Sequence, residues 1–448
     1  MRRIPKVRQA RLIAILAVSL VLGGGGVPYP LPNMLVQLVV LGILLWPARA
    51  PESALQFGKL DRALLVLIAI TVALPVLQVI KLPPELWTKL AGRELVLASL
   101  TAAEMPDAWM SFSVDPARTM MAALSLIPAV GAALLVANAP VRDRSFVLKS
   151  LAAMGLFMVL LGTIQLSSGN RILIPYNQIR NPHQLHGFFA YHNPAGLFLD
   201  ICLLVVILLP QQLRARNLEL GLRIGIGLML AIAVVLTQSR SSLALAIVPC
   251  AALAWRVGQS LLARKGRLNA AGHRAVIGVT VLVITCIASV SLLLSNTRVQ
   301  QALSRFDDLQ DARPAIWQDS WSAWQAFWPA GAGTGTFTTV FPIYESLENL
   351  VPAVTNRAHN DYLELGIESG IVGYAVLLCW IGFLLLRLFR KAVNVEHRAQ
   401  KVICATAFVM IAGQALIDYP LRNEAMLAIA GLLVGLLTRP PEYEGKQT

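Results

Sequence analysis

The chain has 448 residues, 56% of them hydrophobic and only 14% charged, where soluble globular chains carry about a quarter charged residues. Repeated apolar runs near the length of a bilayer crossing therefore read as transmembrane helices, and a soluble fold is excluded. The net charge of +14 would suggest nucleic acid if it were clustered. It is instead spread over short loops between apolar runs, so it reads as membrane topology and no nucleic-acid partner is expected.

About twelve spans are expected, near 11–27, 31–46, 63–80, 118–138, 146–166, 194–209, 222–238, 241–256, 275–294, 362–386, 401–417 and 424–438. Gly23–Gly26 and Pro28 interrupt the first. A cleavable signal peptide is a rival reading of residues 1–26, but a strong small-residue cleavage site is missing. Alternating sides from a cytoplasmic N-terminus puts most of the 38 Lys and Arg into the short inside loops, which places both termini in the cytoplasm. The expected class is an all-α integral membrane protein. Residues 1–294 hold the first nine spans, with outside loops near 81–117 and 167–193. Residues 295–361 form one large outside loop, and 362–448 carry the last three spans and a tail. Cys202, Cys250, Cys286, Cys379 and Cys404 lie in apolar runs without metal-ligand spacing, so they read as small buried hydrophobes. No GxxxxGK[ST] occurs, so no nucleotide-driven pump is expected.

The polar residues that could do chemistry gather on the outside. Arg180, His183, His186 and His192 lack a metal-site spacing; Arg180, His192 and Asn193 are candidate substrate contacts. Arg240, in Thr237-Gln-Ser-Arg-Ser-Ser242 between two apolar helices, is either a phosphate clamp, whose fork matches phosphate oxygens, or a snorkelling interfacial arginine. Arg313 opens a helix over Arg313–Phe327, with Trp317, Trp321 and Trp324 on one face. It is a second phosphate or sugar contact, or an ordinary solvated helix start. The tryptophans read as packing or interfacial anchors. Trp328–Phe337 reads as a glycine-rich turn. His359 is a candidate general base, since histidine is the side chain that changes charge nearest neutral pH; the bland alternative is a cap on the next helix. Arg357 and Asn360 beside it are candidate substrate contacts. Asp361 and Glu364 suit the start of a helix through its dipole. Asp418 and Arg422, in a short outer turn, are either paired with each other or line the substrate.

The order Gln238-Ser239-Arg240, Arg313-x-x-x-Trp317, Gly331-x-Gly333-x-Gly335-x-Phe337 and His359-Asn360-x-Tyr362-Leu363-Glu364, followed by Gly370-Ile371-Val372-Gly373, resembles the O-antigen ligase/O-antigen polymerase superfamily of bacterial membrane glycosyltransferases over about 180–425. His192-Asn193-Pro-Ala-Gly196 and Asp418-Tyr-Pro-Leu-Arg422 look like motifs of a branch linked to polysaccharide assembly. His192 departs from the asparagine of that branch. The resemblance implies an inverting, metal-independent, GT-C type glycosyltransferase with no cofactor in the bacterial inner membrane. Its donor would be a glycan on undecaprenyl diphosphate at the periplasmic face. Its acceptor would be lipid A-core, another glycan or a protein. Arg240 then matches the diphosphate-binding arginine, His359 the base or acceptor-positioning histidine, and Arg313 the loop arginine. A secondary transporter or glycolipid flippase is the alternative, but transporters place their polar residues near the bilayer midplane, whereas here Asp200 is the main midspan charge.

Overall fold

The computed structural model describes residues 4–26, 28–46, 55–176, 182–210, 215–262, 312–350 and 354–440. Helices α1 (Ile4–Leu22), α2 (Pro30–Leu45) and α3 (Arg62–Gln78) come first. Short helices α4 (Pro84–Trp87) and α5 (Glu94–Ala102) follow, beside an antiparallel ribbon pairing Lys81–Leu82 with Met110–Ser111. Next are α6 (Pro116–Leu124), α7 (Ile127–Ala137), α8 (Val141–Ser167), α9 (His192–Leu208), α10 (Arg216–Thr237), α11 (Arg240–Leu245) and α12 (Ile247–Leu262). The last group is α13 (Arg313–Phe327), α14 (Phe337–Tyr344), α15 (Asp361–Phe389), α16 (Val395–Ala415) and α17 (Glu424–Leu437).

Among the described residues, six stretches are long and apolar enough to cross a membrane: Val7–Gly25, Pro116–Ala137, Val141–Ser167, Asn217–Thr237, Arg240–Gln259 and Asp361–Phe389. Pro30–Leu45, Arg62–Gln78, His192–Leu208 and Glu424–Leu437 are apolar but shorter. The all-α membrane class holds; the described residues alone do not establish the expected twelve spans. The run expected at 401–417 belongs to α16, which starts earlier and takes in Glu396, His397, Arg398 and Lys401. The span expected at 275–294, and 295–311 of the large loop, lie outside the described residues. Two expected spans are broken, each for a local reason. Proline donates no backbone hydrogen bond and its ring crowds the carbonyl four residues back. Pro128 does this to Leu124 between α6 and α7, and Pro249 does it to Leu245 between α11 and α12.

The main core joins α1, α2, α7, α8, α9, α10, α16 and α17 through Leu20, Val40, Leu135, Leu148, Phe198, Leu230, Met410 and Leu433. A second core, of Phe327, Ala332, Phe337, Phe341 and Ile367, lies where α13 and α14 meet the first part of α15. The segment after α3 is packed onto it. Buried Arg93 donates to the carbonyls of Phe112 at 2.6 Å and Gly331 at 3.1 Å. Val114 N–H donates to Ala332 at 2.9 Å. Gln78 Oε1 accepts from both the amide and the hydroxyl of Thr334, each at 2.8 Å.

These contacts hold the glycine turn against a break in α15. Gly370 has φ +53°, in the left-handed region that suits glycine. Peptide groups freed there are met by the turn: Ile371 N–H donates to Pro329 O at 3.0 Å, Ala332 N–H to Ile367 O at 2.8 Å and Gly333 N–H to Glu368 O at 2.8 Å. A side-chain carbon at Gly370 would collide with the Pro329 carbonyl oxygen. The break separates an arm, Asp361–Ser369, from the long apolar remainder of α15, and the candidate site lies at the free end of that arm.

Candidate active site

Asn360 caps the arm. Its Oδ1 accepts from Tyr362 N–H and Leu363 N–H, each at 3.0 Å, supplying an acceptor that the first turn of a helix lacks. Asn360, expected to touch substrate, is thus occupied in starting the helix. His359, just before it, has φ +51°, and its carbonyl accepts from Trp317 Nε1 at 3.3 Å. The imidazole stands edge-on to Tyr419, with ring centroids 5.0 Å apart at 65°. Nδ1 lies 3.5 Å from Asp418 Oδ1, at the outer limit of a hydrogen bond and without meeting its angular requirement.

Behind His359 runs a buried ion network. Arg357 Nη1 lies 2.6 Å from Glu364 Oε1, and Glu364 Oε2 accepts from Ala358 N–H at 3.1 Å. Arg422 Nε donates to Asp361 Oδ1 at 2.9 Å. Its Nη1 donates to Glu368 Oε2 at 2.8 Å and stands 3.4 Å from Glu364 Oε1. Burial alone would favour loss of the Arg422 proton, but Glu364, Glu368 and Asp361 outweigh it and hold the guanidinium charged. Arg357 and Arg422, expected as substrate contacts, are both ion-paired with carboxylates. Asp418 and Arg422 are not partners: three carboxylates on one face of the arm draw Arg422 away and leave Asp418 to His359.

The N-terminus of α9 approaches the same turn. Tyr191 packs edge-on against Tyr419 at 6.2 Å, and Asn356 Nδ2 reaches the Tyr191 hydroxyl at 3.4 Å. His192 lies within electrostatic reach of both Asp418 and Arg313. Asn193 Oδ1 accepts from Ser239 Oγ at 2.8 Å, and Ser239 Oγ also caps α11 by accepting from Ser242 N–H at 3.2 Å. Gln238, left-handed at φ +54°, ends α10 and delivers Ser239 and the exposed first residue of α11, Arg240. Arg313 is the half-buried first residue of α13, four residues before Trp317. His186 is buried with neither ring nitrogen hydrogen-bonded among the described residues; burial, then neighbouring His192, push it down to about 4. Tyr419 is held well above its ordinary value, by burial and then by Asp418 and Tyr191, so its hydroxyl stays protonated. Arg180 lies outside the described residues. Trp321 and Trp324 stack on each other at 4.6 Å, away from the Trp317–His359 contact.

The structure therefore assembles His359, Asp418, His192, Asn193 and Arg313 from four segments, with Arg240 tied in through Ser239. Tyr191 and Tyr419 escaped the sequence reading. Their positions beside His192 and Asp418 were the available signal. No curated protein matches the chain. Residues 225–378 match the model of a family described as O-antigen ligase, a stretch that contains Arg240, Arg313, Arg357, His359 and the whole arm of α15. That match supports the resemblance to the O-antigen ligase/O-antigen polymerase superfamily over this part of the chain.

Proposed function

We propose that the protein transfers or polymerises a glycan from undecaprenyl diphosphate onto an acceptor hydroxyl at the periplasmic face of the bacterial inner membrane. The reaction is inverting and needs neither metal nor cofactor. The observation that supports this reading is that His359 faces Asp418, that His192 lies within electrostatic reach of both Asp418 and Arg313, and that Ser239, next to Arg240, is hydrogen-bonded to Asn193. The acceptor oxygen attacks C1 of the lipid-linked sugar and gives its proton to His359. The bond from C1 to the phosphate oxygen breaks, and its electrons leave with the diphosphate. No nucleotide is needed, because the leaving group is already activated.

Negative charge grows on that diphosphate in the transition state. Arginines fixed near an apolar boundary stabilise such charge, by about 3–4 kcal/mol for one well-placed donor. A positioned base contributes about 10²–10⁴-fold. Lipid A-core, a growing glycan and a protein would all use the same donor site, so ligase and polymerase share this chemistry. Arg240→Ala and His359→Ala are expected to abolish transfer in proteoliposomes while insertion and melting stay normal; full activity in either variant removes that residue's role. One observation favours a transporter instead. Asp200 is fully buried in α9 and neither of its oxygens has a hydrogen-bond partner among the described residues, and ionisable groups inside membranes often mark pathways. Asp200→Asn would then stop glycolipid movement, whereas the transferase reading expects transfer to persist.

A further inference from the structure

We propose that Asp418 is the positioning residue of the reaction, acting through His359 and not by touching the glycan. This rests on the transferase reading above.

His359 has little freedom. Its backbone is fixed by a left-handed turn and by the Trp317 indole on its carbonyl, and its ring edge is set against Tyr419. Nδ1 is buried and has no hydrogen-bond partner among the described residues, and Asp418 Oδ1 faces it at 3.5 Å. A buried ring nitrogen left unpaired is costly, and catalytic hydrogen bonds are often long before substrate binds.

The surrounding charges explain why Asp418 is available. The carboxylates of the arm, Asp361, Glu364 and Glu368, are each tied to Arg422, Arg357 or both. Asp418 is only 3% exposed and has no arginine partner among the described residues. The groups facing it are His359 from the loop before α15, His192 from α9, with Arg313 of α13 beyond it, and its neighbour Tyr419. It is the carboxylate that the network leaves free for an imidazole.

A carboxylate on Nδ1–H sets the tautomer that exposes the Nε2 lone pair. It also supports the imidazolium that forms when Nε2 takes the acceptor proton. The acceptor C–O bond forms and the C1–O–phosphate bond breaks as before.

Asp418→Asn preserves shape and removes the charge. In purified full-length protein with a lipid-diphosphate oligosaccharide donor, kcat is expected to fall about a hundredfold or more while KM for the donor stays within about threefold. Groups that act as one unit are non-additive, so Asp418→Asn combined with His359→Ala is expected to be no slower than His359→Ala alone. If His359→Ala leaves no measurable rate, the kcat-against-KM split decides. Wild-type kcat in Asp418→Asn, a raised KM at unchanged kcat, or a multiplied loss in the double variant would each overturn the proposal. A wild-type protein inactive with every acceptor would instead overturn the transferase reading.

Discussion

Arg422→Met should be the most damaging single change at the base of the arm, and the network gives its size. The guanidinium serves Asp361 at 2.9 Å, Glu368 at 2.8 Å and Glu364 at 3.4 Å, and its side chain is only 17% exposed. Methionine keeps the volume and leaves three clustered carboxylates to Arg357, which among the described residues is ion-paired with Glu364 alone. Removing one partner of a buried ion pair costs about 3–5 kcal/mol, so a loss of at least that order is expected. Arg422→Lys should recover little, because one ammonium cannot reproduce the two directions, Nε and Nη1, that the fork uses. The assay is thermal unfolding of purified protein in detergent, with transfer measured in parallel. A Tm several degrees lower is expected, with the deficit narrowing in acid as protonated carboxyls need no counter-charge. An Arg422→Met protein melting with the wild type at neutral pH would refute the reasoning.

Arg240→Lys should lose transfer at least about tenfold, because a point charge cannot replace a fork on phosphate; near-normal turnover would refute bidentate binding. Gly370→Ala should lower the yield and melting temperature of folded protein, since the new carbon meets the Pro329 carbonyl oxygen in a left-handed residue; unchanged melting would contradict the described break. His186, held neutral down to about 4 in the fold, gains its proton in the unfolded chain near 6.5. Stability should therefore fall as pH drops from about 6.5 toward about 4. His186→Gln should flatten that slope in pH-dependent melting curves, and an unaltered slope would count against the burial of this ring.

Hydropathy made the bundle legible, and most helices lie near the apolar runs that announced them. It failed where a second force decided. Pro128 and Pro249 cut helices that composition alone would have continued. Helix α16 carries charges in its first turns, yet buries Lys401 and Gln400 through packing that no window of sequence reports. At the site, the motifs around Arg240, Arg313 and His359 stood out because charge alternation predicts one side of the membrane for all three. The roles of their neighbours were not legible. Asp361, Glu364 and Glu368 have an ordinary explanation at a helix start, and nothing local reveals that Arg422, in a distant turn, gathers all three. That Asn360 also caps the helix was not legible, because a cap and a ligand use the same amide chemistry.

The most direct test of the account is transfer by the purified full-length protein in detergent, given undecaprenyl-diphosphate oligosaccharide with and without lipid A-core. Glycan should leave the diphosphate in the wild type, onto the donor's own chain for a polymerase or onto lipid A-core for a ligase, and His359→Ala should release none. Equal transfer by wild type and His359→Ala would contradict the central claim, as would intact donor in every wild-type reaction, including those offered a protein acceptor.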